Sequence, residues 1–212
     1  MRTFSRAVAI VFHPLFMPLY LAVIVMNFVT YFQFSIDPWI KGFLYFVLVM
    51  IVLLSSVSMG AMVRKHVVSD LDVTHRNQRF IPISLILMYY VAAYISLRYK
   101  LSNIYIPDEI YSMLLGVVFS LVIALFITRS YKLSLHALGI SGVVGVVVAL
   151  AENYQFHAIY SELFWITLCV AAFGLIGFSR LYLKHHSFYE YLTGAVLGFL
   201  VNYWLVSKAW FL

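Results

Sequence analysis

Apolar residues fall in long runs separated by short polar links. Seven runs can be traced: about Val8 to Phe32, Trp39 to Val63, Ile81 to Leu97, Ile110 to Thr128, Leu133 to Leu150, Ile159 to Phe178 and Tyr189 to Val206. Runs near 20 residues have the length of a helix that crosses a bilayer, and are too long for barrel strands. The pattern predicts an all-α integral membrane protein, a bundle of six to seven transmembrane helices in a single domain over 1–212. The first run follows Arg2 and Arg6 and has no small-residue cleavage site, so it reads as a retained span and not a signal peptide. His13, Pro14 and Pro18 interrupt its start. Gly139, Gly142 and Gly145 in the fifth run predict close packing against a neighbouring helix.

Composition agrees with this reading. The chain is 64% hydrophobic and only 10% charged, with a mean hydropathy of +0.97. A soluble domain has roughly a quarter of its residues charged. A single cysteine excludes an internal disulfide and a Cys-based metal cage. The net charge of +6 is scattered over short loops. That distribution argues against nucleic acid and favours anionic membrane lipids as partners. Whether the chain forms a homo-oligomer is left open.

With seven crossings, the N-terminus, loop 64–80, link 129–132 and loop 179–186 share one face. These are the polar stretches richest in Arg, Lys and His, so distant clusters can meet at one end of the bundle. Ten of the fourteen lysines and arginines lie on that side, which the positive-inside rule assigns to the cytoplasm.

Three clusters on that face carry chemistry. The first is His75-Arg76-Asn77-Gln78-Arg79-Phe80-Ile81-Pro82. As a plain reading it is a positive-inside loop. As a functional one, Arg76 and Arg79 at a helix entrance can fork onto phosphate oxygens. The second is Ser134-Leu135-His136, where Ser134 serves as an N-cap and His136 is either a packed histidine or a general acid. The third runs from Phe178 to Gly194. Ser187 to Glu190 is a capping-box pattern, so a helix starts at Ser187. His186 then sits at a helix mouth that favours anions, and His186 and Glu190, four apart, can share a face. Arg180 and the histidine pair stand near membrane depth, where polar groups are costly and usually functional.

Together these clusters resemble the type 2 phosphatidic acid phosphatase superfamily, which shares its active site with vanadium haloperoxidases. Its signatures are Lys-x6-Arg-Pro, Pro-Ser-Gly-His and Ser-Arg-x5-His-x3-Asp. Ser179-Arg180, five residues, His186, three residues and Glu190 keep the third spacing and exchange Asp for Glu. Ser134-Leu135-His136 keeps part of the second, with leucine for glycine and no proline before the serine. The first is most altered: Pro82 is displaced from Arg79, and Asp72 holds the lysine position, with Arg76 a candidate for the missing cation. His13-Pro14-Leu15-Phe16 and the Arg-x-x-Arg-x-Ile-Pro pattern look like a divergent bacterial branch of the superfamily. The resemblance spans about Arg76 to Gly198, and a phosphatase-like core would occupy about 64–206.

The resemblance implies a bacterial inner-membrane phosphatase that hydrolyses a lipid phosphate or pyrophosphate. In that scheme His186 attacks phosphorus and forms a phosphohistidine, and Glu190 holds its tautomer. His136 protonates the leaving oxygen. Arg76, Arg79, Ser134 and Arg180 bind the phosphate, and no metal or other cofactor is used. Many bacterial members face the periplasm, against the charge bias above, so orientation stays open. The alternative is a degenerate relative that binds lipid phosphates without cleaving them, or acts as a non-enzymatic membrane interaction protein. Two other classes compete: a haem-binding cytochrome using His13, His66, His136 and His186, and a magnesium-dependent prenyltransferase using Asp70 and Asp72. The clustering of the histidines beside arginines, and the lack of a second acidic motif, weigh against both.

Overall fold

The computed structural model describes residues 1–70, 73, 75–101 (backbone only at 100), 103–157 and 161–208. Among them are nine α-helices and no strand, only an isolated antiparallel bridge between Val29 and Phe156. The helices are α1 (Arg2–Val11), α2 (Met17–Phe28), α3 (Thr30–Ser35), α4 (Pro38–Arg64), α5 (Phe80–Ile95), α6 (Asp108–Ile127), α7 (Leu135–Ala151), α8 (Glu162–Tyr182) and α9 (Phe188–Ser207). Local chemistry sets several of their starts. Asp37 accepts a hydrogen bond from the Trp39 N–H at 2.8 Å, with Pro38 at the first position of α4. Asp108 and Glu109 occupy the positive first turn of α6.

Five helical stretches are long and apolar enough to cross a membrane: Arg2–Phe28, Pro38–Arg64, Arg76–Tyr99, Asp108–Ile127 and Glu162–Tyr182. The fifth and seventh apolar runs fold as α7 and α9, which do not meet that standard. α7 has only 17 residues, and α9 carries Glu190 and Asn202. Twelve of the seventeen residues of α7 are buried, so neighbouring helices and not lipid cover most of it.

The first apolar run is not one continuous helix. α1 ends at Val11, a 3₁₀ turn covers Pro14–Phe16, and the chain breaks again between α2 and α3. Pro14 has no N–H to continue the helix, and the His13 Nδ1 accepts the Leu15 N–H at 3.3 Å instead. The sixth run also differs from expectation. α8 continues through Ser179 and Arg180 to Tyr182, so both residues lie on a rigid last turn and not in the following loop. The expected start of that run at Ile159 lies outside the described residues.

α7 and α9 run parallel and share the closest interface in the bundle. Contacts advance together along both: Ser134 meets Gly194, Leu138 meets Gly198, and Gly145 meets Phe199. A Cβ at Gly194 would stand 2.5 Å from the Ser134 carbonyl oxygen, and one at Gly198 2.2 Å from that of Leu138. Only glycine allows backbones to approach this closely. Gly142 and Gly145 face α9, as the glycine-rich run suggested, whereas Gly139 faces Met17 and Pro14. Asn202, buried between α6, α7 and α9, donates to the Ser120 hydroxyl at 3.0 Å and to the Gly198 carbonyl at 2.9 Å. α1 packs on α8, where the Ser179 hydroxyl donates to the Ser5 carbonyl at 2.6 Å.

The Gly198→Ala variant should therefore lower the thermal midpoint in detergent, at a cost of about 1–3 kcal/mol from forced separation of two backbones. Gly174→Ala, where a Cβ meets nothing within 4 Å, should leave it unchanged or raise it slightly. Equal midpoints would contradict the packing.

Candidate active site

The parallel pairing of α7 and α9 sets two helix N-termini side by side. Ser134 caps α7, its hydroxyl accepting the Ala137 N–H at 3.3 Å. The Ser134 N–H donates to the Glu190 carbonyl at 3.0 Å, which stitches the start of α7 to the first turn of α9. Ser187 caps α9 through a complete capping box: its hydroxyl accepts the Glu190 N–H, and the Glu190 carboxylate accepts the Ser187 N–H, each at 3.2 Å. The positive ends of both dipoles therefore point to one place.

The same Glu190 Oε2 that closes the box also accepts from His186 Nδ1 at 2.9 Å. The structural and functional readings of Glu190 are thus one arrangement and not rivals. A carboxylate acceptor fixes the proton on Nδ1 and leaves the lone pair of the neutral ring on Nε2. His186 reaches this position because the chain turns sharply after α8. Lys184 adopts a left-handed conformation (φ 56°), and the His185 N–H reaches back to the Arg180 carbonyl at 3.1 Å.

Three cations surround His186. Arg79 is 2% exposed; its Nε donates to the Val73 carbonyl at 2.9 Å and a terminal nitrogen to the Leu133 carbonyl at 2.7 Å. Arg180, also 2% exposed, projects from the last turn of α8. Lys132 donates to the His185 carbonyl at 2.8 Å. Burial first, and then the charges of Arg79, Arg180 and Lys132, push the His186 imidazole down to about 2. The ring is a neutral base at physiological pH.

His136 begins α7, is buried, and lies within electrostatic range of Arg180 and His186. Its Nε2 lies 3.2 Å from the Ala9 carbonyl, which can only accept, so Nε2 carries a proton and Nδ1 is left to exchange another. Its ring meets that of His13 edge-on, with centroids 5.5 Å apart. α1 therefore supports the site from the N-terminal side.

Six of the seven expected site residues converge here: Arg79, Ser134, His136, Arg180, His186 and Glu190. Arg76 does not join them. It is exposed on a 3₁₀ turn, and its guanidinium donates to the Ser130 carbonyl at the rim. Asp72, at the lysine position of the first signature, lies outside the described residues. Lys132 was read as part of a basic link; its placement two residues before an N-cap was the available signal. His13, the cap of the 3₁₀ turn, also lines a cavity.

That cavity, about 130 Å³, opens beside Arg79, His13 and His136 and continues between α2, α5, α6 and α7. Its walls are apolar, with Leu21, Ile83 and Tyr90 among them, and Ser120 and Asn202 at depth. Among the described residues, no three His, Cys, Asp or Glu side chains converge so as to hold a metal ion. No family model, curated protein or solved structure matches the chain.

A His186 that is neutral when folded, against about 6.5 when unfolded, makes the unfolded state the better proton binder between those values. Its contribution to stability is complete above pH 6.5 and is lost progressively as the pH falls toward 2. Nitrogen-15 NMR of histidine-labelled protein in detergent should show His186 as the neutral Nδ1–H tautomer from pH 8 down to pH 5. Titration near pH 6.5 would contradict the site geometry.

Proposed function

We propose that the chain is a membrane phosphatase that hydrolyses a lipid phosphate or pyrophosphate through a phosphohistidine. The observation that carries this reading is the His186–Glu190 hydrogen bond, which leaves Nε2 as the nucleophilic nitrogen beside two buried arginines and two helix N-termini. The spacing of Ser179, Arg180, His186 and Glu190 supports the same reading through its resemblance to the type 2 phosphatidic acid phosphatases.

In this mechanism the Nε2 lone pair attacks phosphorus in line with the leaving oxygen. The P–O bond breaks and a P–N bond forms. Glu190 retains the Nδ1 proton's hydrogen bond and stabilises the ring as it becomes positive. Arg79, Arg180 and the backbone N–H groups at the starts of α7 and α9 hold the equatorial oxygens, where charge develops. The arriving phosphate anion favours a second proton on the His136 ring, taken from solvent at Nδ1, and His136 delivers it to the departing oxygen. Ser134 acts by holding the two helix starts together, and Arg76 by meeting the head group at the rim. Water then cleaves the P–N bond, and the proton it loses restores His136. These fixed charges supply the electrostatic work without requiring a metal ion.

The substrate's tail follows from the apolar cavity that leads away from Arg79 and His136, which suits a chain that stays in the hydrocarbon region while its phosphate is cleaved. We place the protein in a bacterial inner membrane. A degenerate relative that binds lipid phosphates without cleaving them is the second reading, favoured by leucine at 135 and the altered first signature.

The test is phosphate release by purified protein in detergent with EDTA present, from phosphatidic acid, phosphatidylglycerol phosphate, undecaprenyl pyrophosphate and a lipid A phosphate. Release that His186→Ala abolishes is the expected result. Glu190→Gln should keep the thermal midpoint, because glutamine also completes a capping box. It should lower kcat by on the order of 10²-fold, because the imidazolium loses its carboxylate. Binding without release from any of the four would transfer the conclusion to the degenerate binder.

A further inference from the structure

Lys132 ends the short link between α6 and α7, two residues before the Ser134 cap. It is half-buried, and its ammonium donates to the carbonyl of His185, the residue before the nucleophile. Arg79, Arg180, Glu190 and His186 all lie within its electrostatic range. Among the described residues this is its one hydrogen bond, and an ammonium has three donors. Supporting a carbonyl does not require a charge, since a neutral amide would do the same. Placing a cation in partial burial beside two guanidinium groups is unfavourable: burial first, and then Arg79 and Arg180, hold its pKa below the ordinary lysine value, although Glu190 and Asp70 pull the other way. An anion arriving at the site offsets the cost that remains. Arg76, the alternative cation from the sequence, is committed to Ser130 on the exposed rim.

We infer that Lys132 is a third cation that binds the substrate phosphate together with Arg79 and Arg180, and that it matches the site to a dianionic terminal phosphate. The inference rests on the phosphatase reading and assigns within it the charge that the first signature lacks. A phosphomonoester or terminal pyrophosphate carries the second negative charge near neutral pH. A phosphodiester carries one charge and gains less from a third cation.

The experiment is calorimetric titration of the full-length protein in detergent with inorganic phosphate at pH 8, where the dianion predominates, and with dimethyl phosphate as the monoanion. Lys132→Met should weaken phosphate binding 10- to 100-fold, as removal of one charge-assisted contact does, and leave the weaker dimethyl phosphate binding within about threefold. Lys132→Arg should recover most of the loss. Lys132→Gln keeps a donor for the His185 carbonyl without the charge, and should bind as poorly as Lys132→Met. Arg129→Met, at the exposed start of the same link, should stay within about twofold of the wild type. Wild-type affinity in Lys132→Gln would overturn the inference and leave Lys132 as a bracket for the loop. Unchanged phosphate binding by Lys132→Met, in a wild type that still releases phosphate from lipids, would also overturn it while sparing the phosphatase reading. A wild type that neither binds nor releases phosphate would sink both.

Discussion

The close backbone contact between α7 and α9 is the constraint on which the site depends. Gly194 and Gly198 remove the side chains that would hold the two helices apart. The helices can then start at the same level, joined by the Ser134 N–H to Glu190 carbonyl bond. Two sets of orphan N–H groups face the same small volume as a result. Had α9 been displaced by one turn, about 5.4 Å, Glu190 would lose Ser134 and the paired positive ends would separate. Gly194 packs on Ser134 and Ala137, which flank Leu135 and His136, so the glycine contact sets where that histidine stands.

Around those helix starts, each polar residue serves a structural and a chemical purpose with the same atoms. Glu190 Oε2 closes the capping box and fixes the His186 tautomer. Arg79 ties the loop before α5 to the link before α7 through the carbonyls of Val73 and Leu133, and in doing so brings its charge to His186. The Ala9 carbonyl anchors α1 and sets which nitrogen of His136 is protonated. Desolvation makes this economy effective. In a buried, cation-lined pocket the imidazole stays neutral, and any incoming anion meets charges that water does not screen.

Much of this was legible in the sequence. Apolar runs located every major helix, because membrane-scale hydrophobicity is a long and strong signal. The capping box located the start of α9, and the even number of helices between successive polar clusters, α5 and α6 and then α7 and α8, brings those clusters to one end. The prolines marked the break at His13-Pro14, which hydropathy alone does not detect. Two features were not legible, each for a physical reason. Arg180 reads as loop because it is charged, but it is buried and α8 continues through it. That Lys132 and not Arg76 stands beside His186 depends on tertiary geometry alone: both are in basic links, and only folding decides which reaches the His185 carbonyl and which the Ser130 carbonyl.

The central claim is that His186 carries the phosphoryl group, and the most direct measurement is to trap it there. Purified protein would be mixed with a lipid substrate labelled with phosphorus-32 in its terminal phosphate, quenched in alkali within milliseconds to seconds, and digested to peptides. The account predicts base-stable, acid-labile label on the peptide containing His186, absent from His186→Ala. Label on another residue, or rapid turnover with no labelled peptide at any quench time, would contradict it.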